Sequence, residues 1–188
     1  MVLSVDDVVA KFLMKKMPKI DREPDYGNKH TTMQLLYGNA ASLPTTLGGL
    51  QHGNIGIITT LQLYTTLENT SYESPLDPGI TPTHTIGASE EIRQTNFLVH
   101  KKERRIYDNH QTMEDALKSI IIYAVDEVYI GKLCNKYTGY LGIKARDLLD
   151  HLLDRYGKIT PADVEECKKT DERADRRHTT DKHIIQAH

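Results

Sequence analysis

The sequence predicts an all-α protein, a bundle of four to five helices with a Gly/Pro/Thr-rich irregular insert. Three observations point there. Apolar residues recur at helical spacing on both sides of the insert, helix-start signals precede those stripes, and Pro75, Pro78 and Pro82 confine the irregular chain to the insert itself. In the first element Ser4 stands as a cap with Asp7 three residues on, a pairing that satisfies two orphan amides at once. Val5, Val8, Val9, Phe12 and Leu13 then fall on one helical face. Pro18 and Pro24 bracket a loop, and a second helix is expected from about Asn28, with Met33, Leu36, Tyr37 and Ala40 sharing a side.

Residues 42–88 follow a different grammar. Thr, Gly and Pro dominate, and the three later prolines forbid continuous helix. Ile55, Ile57 and Ile58 are β-branched and suit a short strand, whereas Leu61, Leu63, Tyr64 and Leu67 suit a short helix after Thr59 or Thr60. Helical grammar returns at Ser89, an N-cap followed by Glu90 and Glu91 in the turn where the helix dipole favours negative charge. That helix is expected to reach about Asp108, with Ile92, Val99 and Ile106 every seventh residue. Thr112 and Asp115 are read as a restart. Met113, Ala116, Leu117, Ile120, Ile121, Ala124 and Val128 form the best apolar stripe in the chain, ended by Gly139 and Gly142. Leu148, Leu149, Leu152, Leu153 and Tyr156 line one side of a helix over 145–156 that Gly157 stops. Thr160-Pro161-Ala162-Asp163 opens a last helix.

Composition restricts function. The chain has 188 residues and 38% hydrophobic residues; counted with Gly in place of Tyr this is about 39%, lean beside the ~45–50% of an ordinary globular domain. Part of it is therefore expected to be solvated or covered by a partner. No apolar run approaches a membrane span, and Asp6 and Asp7 stand where a secretory signal carries positive charge, so a cytoplasmic protein with no membrane partner is expected. Cys134 and Cys167 alone make neither a disulfide framework nor a zinc site. Lys+Arg 24 against Asp+Glu 26 gives no global pull toward nucleic acid. Between Lys29 and Arg93 there is no Lys or Arg at all, which disfavours a phosphate backbone as the partner of that stretch.

Little in the chain is arranged for catalysis. The Gly48, Gly49, Gly53 and Gly56 loop around His52 lacks both the G-x-G-x-x-G pattern and a P-loop lysine, and reads as a structural turn. His52 has no acid or nucleophile beside it in sequence and is expected to be exposed or bonded to backbone. A catalytic role would need a carboxylate or Cys134 brought to it from afar. Cys134, at the end of an apolar helix, is expected to be buried. Nine histidines include no H-E-x-x-H, although His178, His183 and His188 in the tail could take metal adventitiously. The carboxylates Asp147, Asp150, Asp154, Glu165 and Glu166 are spaced as solvated helix faces. The expectation is a non-enzyme with no cofactor, no metal and no small-molecule substrate. Lys101, Lys102, Arg104 and Arg105 are the candidate RNA contacts, though five basic residues meet four acidic ones on that helix. The segment 157–188 balances seven against seven and has no aromatic on which a base could stack.

Two stretches, YGNAASLPTTLGGLQHGNIGIITTLQLYTTL (37–67) and AVDEVYIGKLCNKYTGYLGIKARDLLDHLLDRYGKITPADVEE (124–166), resemble the Gag-like N-terminal part of copia-type LTR retrotransposon polyproteins. The likeness runs over about residues 20–170. It implies a mainly helical capsid-type protein that assembles with copies of itself around element RNA. On that reading 1–41 is an N-terminal helical segment, 42–88 the Gly/Pro/Thr-rich loop region, 89–166 the capsid-like core and 167–188 a polar tail. The residues expected to form the core or the assembly face are Leu117, Ile120, Ile121, Ala124, Val128, Leu148, Leu149, Leu152 and Tyr156. The alternative function is an RNA-binding module using 101–105 and the tail. After Glu166 the chain departs from the family: no zinc knuckle and no protease D-[ST]-G follow. His178-Thr179-Thr180-Asp181 follows where relatives usually carry a Pro-Tyr-Asp-Pro-type stretch, and it can be encoded by bases that read Pro-Tyr-Asp in a neighbouring frame. A frame-shifted, truncated relic is the corresponding expectation, decided by the coding sequence downstream.

Overall fold

A computed structural model describes residues 3–48, 52–83, 87 and 89–156. Among them are six α-helices and no strand: α1 (Val5–Lys11), α2 (Tyr26–Ala41), α3 (Leu61–Glu68), α4 (Glu90–Ala124), α5 (Glu127–Ile130) and α6 (Ala145–Tyr156). The protein is all-α, as the spacing predicts. Ser4 and Asp7 close the expected capping box, each bonded to the other's backbone amide at 3.1–3.2 Å. Asp25, rather than Asn28, marks the start of α2, its side chain accepting from the Asn28 amide at 2.7 Å.

The core is built on the C-terminal half of α4. Met113, Ala116, Leu117, Ile120, Ile121 and Ala124 pack there with Val8 and Phe12 of the first element, Leu36 and Ala40 of α2, and Ala145, Leu148, Leu149 and Leu152 of α6. Removing the Val, Leu, Ile, Phe and Met side chains among them from water contributes roughly 1.5–3 kcal/mol each. The connection from α1 to α2 is fixed by polar bonds. Asn39, fully buried, exchanges two bonds with the Met14 backbone at 2.8 and 2.9 Å, and Ile20 pairs in parallel with Val125.

Several expectations are corrected. The helix from Ser89 does not stop near Asp108: α4 runs unbroken for 35 residues. No Gly or Pro interrupts it, and Thr112 returns its hydroxyl to the Asp108 carbonyl at 2.8 Å, a bond that suits a helix interior. Val128 leaves the core stripe, since α4 ends at Ala124 and Asp126 caps the separate turn α5, rephasing the chain and leaving Val128 82% exposed. Residues 53–57 form a 3-10 helix in place of a strand, while Thr60 caps α3 as expected. Cys134 is half-buried instead of buried, because α5 and the 3-10 turn Gly131–Leu133 end short of it and it begins a surface turn. The helix predicted from Thr160, the polar tail and Cys167 lie outside the described residues.

Candidate functional site

The N-terminal half of α4 stands clear of the body. Every residue from Glu90 to Val99 is exposed, and Lys101, Lys102, Arg104 and Arg105 follow on the same projecting arm. Ser89 starts it, accepting from the Ile92 amide at 3.4 Å. Ile92, Phe97, Leu98 and Val99 show 49–63% of their surface. An isolated helix of this length is marginal in water; the buried half of α4 supplies the nucleus from which the arm extends.

The extended segment 76–81 runs beside the arm and leaves an open groove of about 1260 Å³, lined by Asp77, Ile80, Phe97, Leu98, Lys101 and Arg105 among others. Asp77 anchors the segment through Arg104 at 2.5 Å, and Arg104 also meets Asp108 at 3.6 Å. Two carboxylates therefore neutralise Arg104, whereas Lys101, Lys102 and Arg105 have no ion-pair partner among the described residues. Of the four candidate RNA contacts, three present unshared charge.

The candidate assembly residues divide into two groups. Leu117, Ile120, Ile121, Ala124, Leu148, Leu149 and Leu152 are core, each at most 5% exposed. Tyr156 is half-buried, its ring edge-on to Tyr129 at 5.4 Å, and Val128 faces solvent. Exposed apolar side chains occur on the arm and also elsewhere, at Leu13, Leu61, Leu67, Leu76, Ile80 and Leu141 among the described residues.

A second cavity, about 670 Å³, lies beneath residues 72–76 against α4 and α6. Here the structure brings together groups that periodicity does not single out. His110 Nε2 lies 2.8 Å from the Tyr72 hydroxyl, and Nδ1 has no partner among the described residues. Burial drives the His110 pKa down to about 4, aided by Lys144, so the ring is neutral at physiological pH. Burial also pushes the Tyr72 hydroxyl and the Glu114 carboxyl upward. Glu114 accepts from the Ala145 amide at 2.5 Å, placing its carboxylate at the start of α6. Arg146 meets the Thr59 carbonyl and holds Asp150 at 3.1 Å. The cluster ties residues 59 and 72 to α4 and α6. The signal for it was a His and a Glu four residues apart within an apolar stripe.

His52 does acquire a distant acid: Nδ1 lies 2.6 Å from Glu68 Oε1 at the end of α3. The contact joins the 3-10 helix to α3, and the His52 side chain is 44% exposed. The Cys134 thiol lies 3.8 Å from the neighbouring Asn135 carbonyl, and its backbone amide donates to the Gly131 carbonyl at 3.0 Å. Three glycines of the loop have steric reasons. A Cβ on Gly48 would strike the Tyr64 ring, one on Gly53 the Leu47 carbonyl, and one on Gly56 the Tyr72 ring. Among the described residues no three His, Cys, Asp or Glu side chains converge to hold a metal ion, and no helix is long and apolar enough to cross a membrane. The three tail histidines lie outside the described residues.

No protein-family model, curated protein or solved structure matches the chain.

Proposed function

We propose that the chain is a non-enzymatic, Gag-like structural protein of a copia-type LTR retrotransposon, cytoplasmic, whose task is self-assembly through helical contacts, with element RNA as the cargo. The observation that carries this reading is the pair of Gag-like stretches, 37–67 and 124–166, in order along the chain. Their packing is consistent with one motif made of two parts: Arg146 of the second stretch bonds the Thr59 carbonyl of the first. The projecting arm adds support, because a solvated helix with apolar residues on show is a contact element awaiting a partner. Light scattering and sedimentation velocity over a concentration series test the reading. Mass is expected to rise with concentration; a monomer throughout the series would refute it.

The unshared charges of Lys101, Lys102 and Arg105 favour a second reading, RNA binding on the arm. Three phosphate contacts on a single strand predict a log–log salt slope of about −2. Filter binding at several salt concentrations measures it, and affinity indifferent to salt would dismiss this reading.

A further inference from the structure

The core face of α4 does not end where the core ends. Ile92, Val99, Ile106, Met113 and Ile120 are spaced seven residues apart along a single helix and all are apolar. Met113 and Ile120 are 3% and 5% exposed; Ile106 is half-buried; Val99 and Ile92, one and two heptads further out, are 49% and 54% exposed. Leu98, adjoining this line, is 63% exposed. A seven-residue apolar repeat drifts slowly around a straight helix, and the geometry that keeps it covered is a second helix wound beside it. The body supplies that cover for the C-terminal half. Among the described residues no such cover reaches Ile92 or Val99, while Leu98 and Arg105 face the open groove beside residues 77–81, which leaves Leu98 63% exposed to a partner.

Charge decides which helix fits. Glu90 and Glu91 open the arm, and Lys101, Lys102, Arg104 and Arg105 close it. A parallel copy would set like charge on like. An antiparallel copy reverses the order, and Leu98 lies midway, seven residues from Glu91 and seven from Arg105. A two-fold axis at Leu98 therefore packs Leu98 on its own equivalent and places Glu91 opposite Arg105 twice. Val99 packs beside Thr95, and the Lys102 stem covers Ile92 while its ammonium stays in water. Neither Glu91 nor Arg105 has an ion-pair partner within the chain among the described residues. We propose that the α4 arm is a homotypic docking surface on which a second copy of this chain lies antiparallel, Glu91 to Arg105, about a two-fold axis at Leu98. The contact is self-complementary, as a closed two-fold interface requires.

This inference rests on the self-assembly reading and names its first contact. The test is sedimentation equilibrium on the full chain and on Leu98→Glu, Glu91→Arg, Arg105→Glu and the Glu91→Arg/Arg105→Glu double variant. Melting temperature is recorded for each; these positions are exposed, so it is expected to stay at the parent value. Leu98→Glu is expected to abolish the dimer. Each single charge reversal sets two like pairs in place of two opposite ones and weakens it about tenfold, and the double reversal restores it. If the parent associates and Leu98→Glu associates equally well, this face is not the contact, although self-assembly stands. Weakened single variants without rescue in the double would refute the antiparallel register. A parent chain that is monomeric at every concentration refutes the inference together with the reading beneath it.

Discussion

His110 makes the stability of this fold depend on pH in a way that can be calculated. The ring is buried against Tyr72, with Nδ1 unbonded among the described residues, and its pKa falls from 6.5 to about 4. In the unfolded chain the imidazole returns to its ordinary value, so between pH 6.5 and 4 the unfolded state binds a proton that the folded state does not. Stability rises with pH across that window and falls on acidification, by ~1.4 kcal/mol per pH unit at most, or about 3 kcal/mol in all. Glu114 acts in the opposite sense. Burial raises its pKa, so the folded state holds that proton more tightly and acid relieves the cost of its charge. The parent alone therefore reports a difference of two effects. Comparison with His110→Gln, which keeps a donor for the Tyr72 hydroxyl but does not titrate, separates them, because Glu114 is common to both. Urea unfolding at half-unit steps from pH 7 to 4 is the measurement. The stability gap between parent and variant is expected to change by about 3 kcal/mol in favour of the variant as the pH falls. Parallel curves would show that His110 is solvated or charged in the folded state, and the burial argument would fail.

Two further predictions concern backbone packing. Gly56→Ala would drive a methyl into the Tyr72 ring, and its cost, roughly 1–3 kcal/mol, is measured by the same urea titration; Tyr72→Ala in the same chain should remove most of the penalty. Asn39→Ala unbinds both polar groups of Met14, so about 1–3 kcal/mol should be lost and amide exchange at Met14 should accelerate.

The helical class, the cap at Ser4, the start of α3 at Thr60 and the stripes of α4 and α6 were legible because each is local. A cap needs its neighbours three residues on, and a stripe needs only one period. What was illegible depended on contacts across the chain. Nothing near Asn39 announces that it will hold residues 25 positions earlier. The continuity of α4 past Asp108 was obscured by Thr112 and Asp115, which read as a capping pair, although the same Thr serves equally well bonded back one turn. Val128 kept perfect period with the stripe and still left it, since the helix ended four residues before and the next turn began in a new phase. The second cavity drew a tyrosine from position 72 onto His110, a meeting of distant residues that no spacing encodes.

The arm and the core of α4 share one apolar repeat, and this allows stability and association to be separated on one helix. Leu117 is fully buried, so Leu117→Ala should cost ~2–5 kcal/mol and lower the melting temperature. Val99 lies on the same face five turns earlier, half in water. Val99→Lys removes no intrachain core contact and introduces a charge where a partner would sit, so it should leave melting of the dilute chain within about 0.5 kcal/mol of the parent while weakening association. The two positions differ only in what covers them, which is the distinction that matters for a lean sequence. Apolar side chains outside the arm are exposed as well, Leu76, Ile80 and Val128 among them, so exposure alone does not mark a contact and the paired variants are what separate the two roles. Equal losses of melting temperature at Val99 and Leu117 would mean that the arm already packs on its own chain, and the separation of the two roles along α4 would collapse.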